Sequence, residues 1–151
     1  MKHLPVLMIF LVGLSLSGTA QEQIGMPKTK VQTFLKKRFN SKGSISGGGD
    51  SIRLSMSTGP FSPASYIYTF DKKGICTGET IITRCDSCYN GLLASILAKE
   101  KYQWKKINEN QYISRFEDNR MIEIFPDEKE RHFSILQVDW NREIYDMLLK
   151  N

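Results

Sequence analysis

The residues best suited to chemistry are two cysteines, Cys85 and Cys88, which are separated by two residues. They follow a predicted strand and open a predicted helix, where the backbone N–H groups and the helix dipole stabilise a thiolate. Arg84 adds positive charge beside the pair, whereas Asp86 opposes it. In an oxidising compartment the same two residues form a disulfide. The spacing therefore indicates either a structural bridge or thiol–disulfide chemistry.

A third cysteine, Cys76, lies nine residues before Cys85. If residues 75–83 form one extended strand, the two are separated by about 30 Å. A disulfide requires Cα atoms within about 7 Å. Cys85–Cys88 is then the pairing compatible with the strand, and Cys76 is free and buried. A bridge from Cys76 would require the strand to stop early or to bulge at Gly78, and an intermolecular bridge through Cys76 is the remaining alternative.

The strand, the two cysteines and the helix resemble the local arrangement of thioredoxin-like oxidoreductases, which implies a redox pair at Cys85 and Cys88. That family also needs a parallel strand–helix–strand unit before the cysteines and a proline-bearing turn facing them later in the chain. Here antiparallel strands precede the motif, and Pro126, the later proline, lies in a charged loop. We therefore expect a protein that is not an enzyme, with a redox role as the alternative.

Other common sites lack their residue patterns. Structural zinc takes about four Cys or His ligands, but the chain beyond residue 20 offers three cysteines and His132, far apart in sequence. The three glycines of residues 47–49 are not followed by Gly-Lys-Ser/Thr, so they do not form a phosphate-binding loop. Acidic residues such as Glu117 and Asp118 fall in predicted turns. We expect no metal and no cofactor.

A basic helix is predicted from residue 27 or 28 to about residue 40. Its apolar stripe recurs with the helical period, and its other faces carry Lys30, Lys36, Lys37 and Arg38 with no acid among them. Such a face either binds an anionic surface or is simply solvated. This basic face is the candidate binding surface that the sequence predicts.

Residues 1–20 have the features of a secretory signal: a polar start with Lys2, an apolar run, and small residues ending at Ala20. No cysteine follows that could carry a lipid anchor. Residues 21–151 are then one domain, exported to the periplasm or the extracellular space, with no membrane span after cleavage. Removing Lys2 from 21 basic and 16 acidic residues leaves 20 against 16, or +4. This mild charge does not imply nucleic acid.

The periodicity predicts an α+β fold. The expected order is helix-β-β-β-helix-β-β-β(-β) with a short C-terminal helix, and the two amphipathic helices pack on one face of an antiparallel sheet. Residues 41–51 are predicted to be a flexible loop between the first helix and the first strand. The element order resembles that of PepSY-like domains and of β-lactamase-inhibitor-like repeats.

The segment from Tyr68 to Cys76 carries a Tyr/Phe-rich strand, an Asp-x-x-Gly turn and an Ile-Cys pair, and Trp104 lies on a later strand. In these features the chain resembles small exported proteins of unknown function from Bacteroidota. The resemblance implies export and a shared fold but no activity. We expect a non-catalytic binding module of the cell envelope, whose partner is a protein, a ligand or an envelope component. An inhibitor of a secreted enzyme is a further alternative, which would need a protruding loop at residues 41–51 or 59–63.

Overall fold

The structure is a computed structural model that describes residues 23–59, 62–127 and 130–150. Within these ranges the helices are α1 (Lys28–Phe39), α2 (Asp86–Leu97) and α3 (Arg142–Leu148). The strands are β1 (Gly43–Gly48), β2 (Ser51–Met56), β3 (Ala64–Phe70), β4 (Cys76–Thr83), β5 (Lys105–Asn108), β6 (Gln111–Ile113), β7 (Arg120–Phe125) and β8 (Arg131–Gln137). The predicted signal, residues 1–20, lies outside the described residues. None of the helices in the described ranges has the length and apolar character needed to cross a membrane.

The strands form one antiparallel sheet in the spatial order β1-β2-β3-β4-β8-β7-β6-β5. Each half of the chain contributes a helix followed by a four-stranded meander, and the last strands of the two meanders, β4 and β8, pair at the centre. Short links between successive strands favour this antiparallel pairing. The predicted α+β class and the predicted order of helices and strands are confirmed, and the first half contains four strands.

Both long helices pack on one face of the sheet, which we name the inner face. Val31 and Leu35 of α1, and Leu92 and Ile96 of α2, are buried pairs at i and i+4, the spacing that puts two side chains on one side of a helix. The sheet contributes alternate residues of its central strands to the same core: Ile52, Leu54, Tyr68, Ile81, Ile122, Phe133 and Ile135. The predicted packing of two helices on one face is confirmed.

The short helix α3 packs on the opposite face, which we name the outer face, at the end formed by β5, β6 and β7. Trp140 and Tyr145 form a second apolar cluster there with Ile113, which is fully buried. The side chain of Asn141 caps the helix, because its Oδ1 accepts the N–H of Ile144 at 3.0 Å. The α3 helix thus shields one end of the outer face.

The prediction of a flexible loop over residues 41–51 was wrong. These residues form β1 and its turn into β2, with Ile45 paired to Leu54. Gly49 occupies the turn at φ +53, a conformation that glycine adopts without steric cost. Glycine and serine have low strand preference, and pairing with β2 overrides it. One of the two loops that an enzyme inhibitor would need is therefore a strand, and the other, residues 59–63, falls partly outside the described residues.

Candidate functional site

Cys85 and Cys88 lie together at the start of α2. Their Cα atoms are 5.1 Å apart and their sulfur atoms are within disulfide-bonding distance, so the predicted close pair is confirmed. Cys85 is the N-cap residue of the helix, and its Sγ accepts the backbone N–H of Cys88 at 3.2 Å. The first turn of a helix leaves such N–H groups unpaired, and they stabilise negative charge on sulfur.

The two sulfur atoms differ in their access to solvent. Cys88 is 7% exposed, and its Sγ lies 3.4 Å from the carbonyl oxygen of Ser62. Cys85 is half-buried, and its Sγ lies 3.0 Å from the hydroxyl of Ser87. Cys85 is therefore the sulfur that a reaction partner could reach. Next to the pair, Asp86 is bound by Arg131 at 2.9 Å, so its negative charge is partly offset.

Cys76 is a free thiol in the core. Burial raises the pKa of this thiol to about 12, although a backbone hydrogen bond with Gly78 acts in the opposite direction. The thiol also donates a hydrogen bond to the carbonyl oxygen of Gly78 at 3.6 Å, which favours its protonated form. A thiol reacts through its thiolate. Cys76 is accordingly inert in the folded chain.

Glu79 is a buried acid that the sequence analysis missed. It lies on the inner face of β4 between Tyr68 of β3 and Ile135 of β8, and it is 1% exposed. The period-2 alternation of β4 places it on the same side as Ile81, and that pattern could have identified it. Within the described residues, neither carboxylate oxygen has a hydrogen-bond partner of standard geometry.

Burial dominates the electrostatics around Glu79. It raises the pKa of Glu79 from its ordinary value of 4.5 to about 8, while the nearby Tyr68 hydroxyl and the Lys99 ammonium act in the opposite direction. Burial, followed by the charge of Glu79, raises the pKa of Tyr66 to about 12 and that of Tyr68 well above its usual range. The acid is therefore protonated at neutral pH, and both tyrosines remain neutral.

Among the residues that the structure describes, none covers the outer face of the central strands where α3 does not reach it. The side chains of Ile67, Ile82 and Leu136 are half-buried there. The hydroxyls of Thr80 and Ser134 form a 2.7 Å hydrogen bond across the central strand pair. At the rim, the exposed ring of Phe125 stacks on His132 with the centroids 5.1 Å apart. The surface combines apolar groups with paired polar groups.

A cleft of about 260 Å³ opens at one end of this face, close to the cysteine pair. Arg53 and Ile82 line it from the sheet, and Arg84 and Glu130 line it from the rim. The guanidinium of Arg84 and the carboxylate of Glu130 form an exposed ion pair at 3.1 Å. Two cations and one anion give the cleft a net positive charge.

The predicted basic surface is exposed on α1, where Lys30, Lys36, Lys37 and Arg38 all reach solvent. The guanidinium of Arg38 lies 5.7 Å from the centroid of the Phe34 ring and 5.8 Å from that of Phe39. Such cation–π contacts hold the side chain over the helix. The surface lies on the far side of α1 from the core, and the structure does not bring it together with the cysteine pair.

Other titratable residues are dispersed. In the described parts of the chain, no three His, Cys, Asp or Glu side chains come together in a group that could hold a metal ion. Glu117 lies in a 3-10 turn, Phe116–Asp118, and pairs with Arg115 at 3.2 Å. Comparison with protein-family models, curated proteins and solved structures finds no match for this chain.

Proposed function

We propose that the chain is an exported, non-catalytic binding module and that the open outer face of the sheet is its binding surface. The observation that carries this proposal is the set of half-buried apolar side chains on that face, among them Ile67 and Ile82, in a sheet whose inner face packs against two helices. Protein interfaces combine an apolar centre with a polar rim. Arg53 and Arg84 supply such a rim at one end.

The proposed partner is another protein or an envelope component, and not nucleic acid. Export is supported by the signal-like pattern of residues 1–20, and the resemblance to exported Bacteroidota proteins agrees with it. The small positive charge of the domain gives no general attraction for nucleic acid, whose binding depends on clustered Lys and Arg contacts to phosphate. A patch that has both apolar and paired polar groups is more typical of a surface that binds a protein than of one that binds nucleic acid.

The test compares two lysine substitutions in a crosslinked capture from the envelope and secreted fractions of the source cells. Thr80→Lys puts a charge at the centre of the outer face, whereas Thr33→Lys puts one on exposed α1. The wild-type chain and Thr33→Lys are expected to capture the same partner, and Thr80→Lys is expected to lose it while unfolding at a similar urea concentration. Capture of the partner that Thr80→Lys retains, whatever the result for Thr33→Lys, would contradict the proposal.

The second candidate is thiol–disulfide exchange, favoured by the solvent access of Cys85 at a helix start. A thiolate of a dithiol protein would attack Cys85 Sγ, and Cys88 would leave as the thiolate. The partner's second thiolate would then release Cys85, so that the partner loses two electrons and becomes the disulfide. Alkylation and peptide mass mapping at poised redox potentials test this. Opening between about −120 and −270 mV supports it, and resistance below about −300 mV removes it.

A further inference from the structure

Strand β1 is an unprotected edge of the sheet. It has six residues, and glycine and serine surround Ile45 without any charge, proline or bulge. The opposite edge, β5, has four residues, carries Lys105 and Lys106, and shifts its register against β6. Short length, lysines and bulges are the devices by which proteins prevent further strand pairing at an edge. Strand β5 has these protective features, and strand β1 does not.

The turn between β1 and β2 determines which backbone groups of β1 are open. Gly48 lies opposite Ser51 across a two-residue turn, and this geometry makes them a hydrogen-bonded pair. Hydrogen-bonded pairs recur at every second residue of an antiparallel ladder. The N–H and C=O groups that point away from β2 are therefore those of Gly43, Ile45 and Gly47. Within the described residues, β1 pairs with no strand other than β2.

The basic helix α1 begins beside the turn between β3 and β4, where the N–H of Lys28 donates to the carbonyl oxygen of Gly74, and it ends near β1. Its first residue, Lys28, donates a hydrogen bond to the carbonyl of Gly49 just beyond the end of β1. Its last residue is linked to the start of β1 by residues 40–42. The helix therefore brings its last turn, with Lys36, Lys37 and Arg38, close to the start of β1. Its charged side chains are all cationic: Lys28, Lys30, Lys36, Lys37 and Arg38.

We infer that β1 accepts an extended, acidic segment of a partner protein as an additional strand of the sheet. Main-chain hydrogen bonds to the open edge provide affinity in this mode, and side-chain contacts provide selectivity. The cations of α1 favour glutamate and aspartate in the added segment. A second copy of the chain fits less well, because edge-to-edge pairing would place two cationic helices on the same side of one continuous sheet. This site is separate from the outer face and does not rest on the function proposed for it.

Hydrogen exchange of the backbone amides, followed by NMR, tests the inference with a defined probe. The probe is a blocked peptide of alternating Glu and Val that matches the six-residue length of β1, and a Lys–Val peptide is its charge control. In the free chain the amides of Gly43, Ile45 and Gly47 should exchange fast. They should become protected with the Glu–Val peptide and not with the Lys–Val peptide.

Four substitutions sharpen the result. Gly47→Pro removes one open N–H group, so it should weaken binding of the Glu–Val peptide about tenfold. Lys36→Glu should weaken it several-fold, whereas Lys105→Glu, at the opposite edge, and Thr80→Lys, on the outer face, should leave it unchanged. Equal effects of the two lysine reversals, equal binding of the two peptides, no binding of the Glu–Val peptide up to about 1 mM, or edge amides already protected in the free chain would each overturn the inference.

Discussion

Replacing Glu79 by glutamine should stabilise the protein at neutral pH. Glutamine keeps the size and shape of the side chain but has no proton to lose. The folded chain holds the Glu79 proton until about pH 8, whereas the unfolded chain releases it near pH 4.5. Since each pH unit between these values is worth about 1.4 kcal/mol, folding at pH 7 carries a penalty on the order of 3 kcal/mol from this one buried acid.

The direction of the pH dependence follows from the raised pKa. Between pH 4.5 and about 8 the folded state binds a proton that the unfolded state has lost. The contribution of Glu79 to the free energy of unfolding therefore has its full value below pH 4.5. It decreases as the pH rises and is lost by about pH 8. Wild type and Glu79→Gln should have similar stabilities near pH 4.5, and the variant should gain steadily above that pH.

Urea denaturation at several pH values between 4.5 and 8 measures this difference. The matched control is Glu123→Gln, which makes the same substitution at a half-buried glutamate on the outer face of β7. The quantity to plot is the difference in free energy of unfolding between variant and wild type. A difference that stays constant with pH for Glu79→Gln would refute the argument, because it would show that Glu79 ionises normally in the folded chain.

Three further predictions follow from the core. Iodoacetamide at pH 8 should leave Cys76 unmodified in the native chain and modify it after unfolding, as measured by peptide mass, because burial raises its pKa to about 12. Leu35→Ala should lower the free energy of unfolding by about 2–5 kcal/mol, whereas Lys36→Ala on the exposed side of the same helix should change it by less than about 0.5 kcal/mol. Gly78→Ala should destabilise the chain by about 1–3 kcal/mol, since a Cβ there would lie 2.8 Å from Thr69 Oγ1, and Thr69→Ala should recover part of that loss.

The parts of the fold that the sequence predicts correctly depend on contacts close together in the chain. The turn after β3 is an example, because the side chain of Asp71 accepts the N–H groups of Lys73 and Ile75 at 2.9 and 2.8 Å, and Gly74 takes a positive φ. The stripe of α2 and the cysteine pair at its start are also local. Strand β1 depends instead on its pairing with β2. The glycine and serine residues of β1 do not indicate this pairing, so residue preferences alone predicted a loop.

The same distinction separates the predicted functional residues from those that emerged only with the fold. Cys85 and Cys88 are three positions apart, so a helix start is enough to bring them together. Glu79 is buried because the long helices cover the inner face and because β8, more than fifty residues later in the chain, pairs with β4, so that Ile135 and Tyr68 flank it there. Likewise, β1 is an edge because the second meander joins the sheet at β4 and leaves β1 at the far end. Both properties depend on the strand order. The alternation of β4 indicates which side of the strand Glu79 shares with Ile81, but not which strands flank it there. The two surfaces that we propose for binding are therefore consequences of how the two halves join.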